Sequence, residues 1–237
     1  MGEDYLSIAV DGPSSSGKSS LAKNLAAKLG FIYLDTGALY RAVGLYIYNN
    51  AIDSEDTETI LASLDNINID IIYDNGEQKI FLNDEDVSFK IRKNHISKYA
   101  SDVSKIPGVR NFLLNLQREK AQSNNIIMDG RDIGTVILPN AALKIFLTAS
   151  PQTRAKRRHE ELTQKSRDDG TNINYEYEQI LHEMIDRDEQ DSKREIAPLK
   201  AAADSIVLDN SEFGSPEDTL NAALNIVRER LPNVCIW

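Results

Sequence analysis

The chain has 237 residues, 41% hydrophobic and 27% charged, with a formal net charge of −10. Such a length and apolar content give one core-forming domain and argue against global disorder, and the acidic balance argues against DNA or RNA polymers as partners. One cysteine, Cys235, forms no internal disulfide and no cysteine-based zinc site; with no apolar run of about 18 residues and no signal-peptide pattern, a cytoplasmic protein without a membrane partner is expected.

In chain order, the first predicted strand is Leu6–Val10, followed by Gly12-Pro13-Ser14-Ser15-Ser16-Gly17-Lys18-Ser19-Ser20. This is the G-x-x-x-x-G-K-[ST] loop, whose backbone N–H groups converge on phosphate oxygens at a helix start. Lys18 supplies a point charge for the β- and γ-phosphates, and Ser19 or Ser20 a hydroxyl for Mg²⁺. Leu21, Leu25 and Leu29 form a helical stripe over Ser19–Leu29, with Gly30 as its stop. The loop therefore implies a nucleoside triphosphate, but does not name its use.

A helix is predicted over Ala38–Asn49, with Thr36 as a cap or ligand and Arg41 on its surface. The middle of the chain breaks the strand–helix alternation. Asn68–Tyr73 and Lys79–Leu82 flank Asn75-Gly76, a hairpin signal. Helix-like stretches follow near Ile96–Ser104 and Pro107–Gln122. Residues of about 65–105 thus read as an insert in a core of about 1–64 and 106–237.

Buried-strand signals resume at Ile126–Met128, Leu143–Leu147 and Ser205–Leu208. Helices are predicted over Gln152–Lys165, Tyr177–Arg194 and Pro216–Leu231, the last with Ser215 as N-cap. The whole reads as a three-layer α/β/α fold on a mainly parallel sheet. Ser166 to Asn174 is polar. A solvent loop or a mobile lid, spanning about 154–174, explains it equally well.

Arg154, Arg157 and Arg158 share one helix face before this loop, and Arg187, Asp191 and Arg194 share another after it. Charge runs on helices are ordinarily solvated faces. Flanking a lid in an acidic phosphate-loop protein, they suit phosphate contact, which a guanidinium makes bidentately. Asp129-Gly130-Arg131-Asp132 follows a buried strand, so Arg131 and Asp132 belong at the carboxyl end of the sheet, where ligands gather.

Four classes compete. The D-x-x-G and N-K-x-D signals of a GTPase switch do not occur. A motor ATPase would carry a well-formed acidic Walker-B strand, for which Asp129 is a candidate without further support. A nucleotide sensor leaves the arginines without a purpose. A small-molecule kinase uses them, one set for donor phosphates and another for an anionic acceptor.

Asp11-Gly12-Pro13-Ser14, Leu34-Asp35-Thr36-Gly37-Ala38 with Tyr40-Arg41, Asp129 to Thr135, and Ile196-Ala197-Pro198-Leu199 together resemble the bacterial-type cytidylate kinases over nearly the whole chain. The resemblance implies ATP and Mg²⁺, CMP or dCMP as acceptor, an enlarged monophosphate-binding insert and a monomer. It implies cytosine contacts for Ser101, Arg110 and Asp132, with Arg194 close by, and sugar contacts for Arg187 and Asp191. Thr36, Arg41 and Arg131 fall on the acceptor-phosphate side. Arg154, Arg157 and Arg158 fall on the donor side with Gly12 to Ser20, and Lys18, Arg131, Arg154 and Arg158 are the expected catalytic cations. The runner-up is another kinase of the same fold, of adenylate or shikimate type.

Overall fold

A computed structural model describes residues 5–237 other than Asn75 and Asn172. Strands β1 (Ser7–Asp11), β2 (Ile32–Asp35), β6 (Ile126–Gly130), β7 (Leu143–Thr148) and β8 (Ile206–Asp209) form one parallel sheet in the order β2-β6-β1-β7-β8. Register pairs Ile8 with Ile127 on one side and with Leu143 on the other. Side-chain alternation divides the core between the two faces. Ile8, Val10 and Ile127 join α1 (Lys18–Leu29) and α8 (Pro216–Arg230) on one face. Ala9, Ile126 and Met128 join α2 (Thr36–Asn49) and α5 (Pro107–Gln122) on the other. Burial on both faces explains why these strands read as short apolar runs rather than alternating ones.

The middle segment carries its own sheet. β3 (Ile69–Asp74), β4 (Glu77–Leu82) and the short β5 (Glu85–Asp86) are antiparallel. Asn83 and Asp84 join β4 to β5 with φ of 48° and 68°, the left-handed pair that suits a two-residue hairpin. Ile69, Ile71, Ile80 and Leu82 turn one face into the core that holds α2 and α4 (Asn94–Val103). The Asn75-Gly76 turn involves Asn75, which lies outside the described residues; the strands on either side of it pair from Ile69↔Leu82 to Asp74↔Glu77.

Some elements differ from the sequence signals. β2 has four residues of which only Leu34 is buried, and its short apolar run, Phe31-Ile32-Tyr33-Leu34, cannot be told from a buried helix segment by periodicity. The short α3 (Thr57–Ser63) starts on an Asp56 cap within a polar stretch. α6 (Pro151–Asp168) runs into the polar segment that begins at Ser166. Ser166 is buried and its hydroxyl accepts from Ile173 N–H at 2.6 Å, which closes a turn against the helix end. α7 (Tyr177–Ser192) stops two residues before Arg194. It packs on α6 through Ala155, Ile180 and Met184. No helix among the described residues is long and apolar enough to cross a membrane.

Candidate active site

A cleft of about 1110 Å³ lies across the carboxyl ends of β1, β2 and β6. The loop from Gly12 to Gly17 forms its floor. A β-carbon on Gly12 would stand 2.0 Å from the Leu147 carbonyl oxygen, and Gly17 has φ of +91°, so both positions demand glycine. Ser14, Ser15, Gly17, Lys18, Ser19 and Ser20 line the cleft. Gly12, Pro13 and Ser16 are buried beneath it. Lys18 is buried and its Nζ donates to the Pro13 carbonyl at 3.0 Å. Burial, and next Arg131, pull its ammonium below the ordinary lysine range.

The buried Asp129, on β6, collects hydroxyls. Ser19 Oγ donates to it at 2.7 Å and Tyr33 Oη at 2.8 Å. Burial, and next the neighbouring Asp35, push the Asp129 carboxyl up, while Lys18 and the two hydroxyls hold it down. Ser19, Asp129 and Asp35 offer only oxygen, the donor type a hard divalent cation takes alongside phosphate oxygens and water. Among the described residues no cluster of three or more His, Cys, Asp or Glu could hold a metal ion by itself. This set therefore fits a cation that arrives with a triphosphate.

The opposite wall carries the other predicted residues. Thr36 Oγ1 donates to the Asp129 carbonyl at 2.8 Å. Asp35 caps α2 by accepting from Ala38 N–H at 3.1 Å, and its other oxygen stands 3.5 Å from Arg41. Arg110 pairs with Asp132; both are buried, and the guanidinium lies 5.7 Å from the centre of the Tyr40 ring. Burial pushes Asp132 up and Arg110 draws it back. Asp191 accepts from Arg131 at 3.1 Å and also pairs with Arg194. Arg187 Nε and Arg194 Nε are buried without a protein acceptor. Burial, followed for Arg187 by its neighbour Arg131, disfavours these charges, so an anionic ligand would relieve them. Ser101, on α4, also lines this wall.

α6 supplies the third side. Ser150 caps it by accepting from Thr153 N–H at 3.1 Å. Arg154 is buried, with Nη1 3.2 Å from the Ser14 carbonyl and Nη2 2.5 Å from Asp188. It braces the phosphate loop from behind and does not line the cleft. Arg157 and Arg158 do. Arg157 donates to Asn210 Oδ1 at 3.0 Å and to its carbonyl at 2.9 Å, while Asn210 Nδ2 donates to the Ser16 carbonyl at 3.1 Å. Arg158 pairs with Glu161 at 2.8 Å.

Several residues escape sequence reasoning. Asn210 follows an unremarkable strand, and nothing local marks it as a joint between loop and helix. Asp11 accepts from Ile133 and Gly134 N–H, each at 2.8 Å, tying the phosphate loop to the segment after Asp132. Its position beside Gly12 was the available signal. Tyr33 and Asp35 sit on the strand that sequence periodicity did not show.

The cytidylate kinase family model matches residues 8–229. A cytidylate kinase of Caldicellulosiruptor bescii is 47% identical over 228 residues, 96% of this chain and 98% of that one. A cytidylate kinase of Fusobacterium nucleatum is 41% identical over 231 residues, covering 98% and 99% of the two chains. A crystal structure of an uncharacterised protein from Eubacterium ventriosum superposes with a TM-score of 0.50 at 14% identity, over 95% of this chain and 99% of that one, a likeness of fold. A match across both walls of the cleft, at this identity and over nearly the full length, places the chain in the cytidylate kinase family.

Proposed function

We propose that the cleft transfers the γ-phosphoryl group of ATP to CMP or dCMP, giving ADP and CDP or dCDP. The observation that carries this reading is the buried Arg110–Asp132 pair on the wall facing the phosphate loop. Cytosine presents an amino donor where uracil presents a carbonyl, and a carboxylate such as Asp132 accepts only from the former. Arg110 and Ser101 supply donors for the other cytosine edge atoms. Arg187 and Asp191 hold the sugar, with Arg194 beside them, and Thr36, Arg41 and Arg131 hold the acceptor phosphate.

On the donor side, the N–H groups between Gly12 and Ser20 cradle the triphosphate and Lys18 swings from Pro13 to its phosphates. Arg157 and Arg158 face the donor, and Arg154 acts from behind the loop. Mg²⁺ bound with ATP would neutralise phosphate charge, and Ser19, held by Asp129, is the serine placed to serve it rather than Ser20. The acceptor phosphate is largely ionised at neutral pH, its second pKa being about 6, so no general base is needed. Positioning and charge neutralisation by Lys18 and the arginines lower the barrier. The segment of about 154–174 acts as a lid that excludes water, and residues of about 65–105 as the acceptor-binding insert. The enzyme is read as a cytoplasmic monomer.

Asp132→Ala tests base readout. The CMP-over-UMP ratio of kcat/KM should fall by about 10²-fold, since polar recognition of this kind supplies most of such discrimination, while the KM for ATP stays within about twofold. An unchanged ratio refutes the assignment.

A further inference from the structure

β2 is an edge strand, paired only with β6. Ile32 N–H points inwards, to the Asn125 carbonyl at 2.9 Å. Alternation along a parallel ladder then turns the N–H of Tyr33 and Asp35 outwards, away from β6. At Asp35 this free edge is covered by a side chain from the inserted hairpin. Gln78, on β4, accepts from Asp35 N–H through Oε1 at 2.7 Å, and its Nε2 lies 3.4 Å from the Asp35 carbonyl. One primary amide thus takes the place of a neighbouring strand. Beside it Glu77 pairs with Lys23 of α1 at 2.9 Å, but that pair is exposed on both sides and holds little.

Asp35 is where the acceptor wall begins. Its carboxylate caps α2 and lies beside Arg41, and the next residue, Thr36, is tied to Asp129. We propose that Gln78 is a positioning residue for the acceptor phosphate: it fixes the Asp35 backbone, and so the aim of Thr36 and Arg41. This gives the hairpin a part in acceptor binding beyond packing, and it rests on the assignment of Arg41 to the acceptor side.

The test is steady-state kinetics of the full-length enzyme with CMP and ATP, for wild type, Gln78→Met and Arg41→Met. Gln78→Met keeps the shape and removes both hydrogen bonds. It should raise the KM for CMP about five- to tenfold, the worth of one well-formed hydrogen bond, with the KM for ATP within about twofold and little loss of kcat at saturating CMP. Gln78→Asn, which keeps the amide but cannot span the gap, should do the same and serves if the methionine variant fails to fold. If Arg41→Met raises the KM for CMP and the Gln78 variants do not, or if they shift both KM values together, the positioning role is overturned. If Arg41→Met leaves the KM for CMP unchanged, the acceptor-side assignment fails first and the proposal with it.

Discussion

Asp11 holds a carboxylate where solvation is poor. It is buried, and burial pushes its pKa from 3.8 to about 6 against the pull of its two backbone N–H donors. A carboxyl whose folded pKa is raised binds its proton more tightly in the native state. Its contribution to stability is therefore fully present below about pH 4 and is lost as pH rises through about 6. A shift of that size corresponds to roughly 3 kcal/mol. Urea unfolding of wild type and Asp11→Asn between pH 4 and 7 reads this directly. The stability of wild type relative to the variant should decline across that window by roughly 2 kcal/mol, part of the shift being already expressed at pH 4. A constant difference would show that the carboxyl titrates alike in both states. The ionised form is kept at neutral pH because its two acceptors join the donor loop to the Asp132 segment, which an amide with one acceptor oxygen cannot fully replace.

At the scale of elements, α6 carries three arginines toward or behind the donor loop, and its start is fixed by Ser150. Ser150→Ala should lower stability by about 1 kcal/mol, as for other N-caps. Because the helix aims Arg154 and Arg157, it should also raise the KM for ATP more than that for CMP. Equal effects on both would place the helix start outside donor binding. The sequence showed which helices bear the arginines, because i, i+3, i+4 spacing survives any tertiary arrangement. It did not show that Arg154 would turn behind the loop to Ser14 and Asp188 while Arg158 paired with Glu161 on the cleft wall. That choice depends on α7 packing alongside. The phosphate loop and the hairpin strands were legible because backbone geometry dictates their residues. β2 was not, because its run of four apolar residues, Phe31 to Leu34, is too short for periodicity to separate strand from helix; the contacts of Tyr33, Asp35 and Gln78 were hidden with it. The Ser19–Asp129 hydrogen bond, on which the preference for Ser19 over Ser20 is proposed, was likewise out of reach, because it joins residues far apart in the chain.

At the scale of the molecule, charge is the organising quantity. The chain carries a net −10, yet nine lysine and arginine side chains line the cleft against six carboxylates. A protein that repels anions over most of its surface attracts them to one place. Two walls of that place differ in kind: a backbone cradle with one lysine on the donor side, and paired, partly unsatisfied arginines on the acceptor side. We propose that they hold two different nucleotides, with cytosine read on the second wall. ADP release from ATP, followed with CMP, dCMP, UMP, AMP or no acceptor, tests it most directly. The highest kcat/KM is expected for CMP, or for CMP and dCMP together, with a lower value for UMP and near-background release with AMP or with no acceptor. Faster turnover with AMP than with CMP, or ADP release that ignores the acceptor, would contradict it.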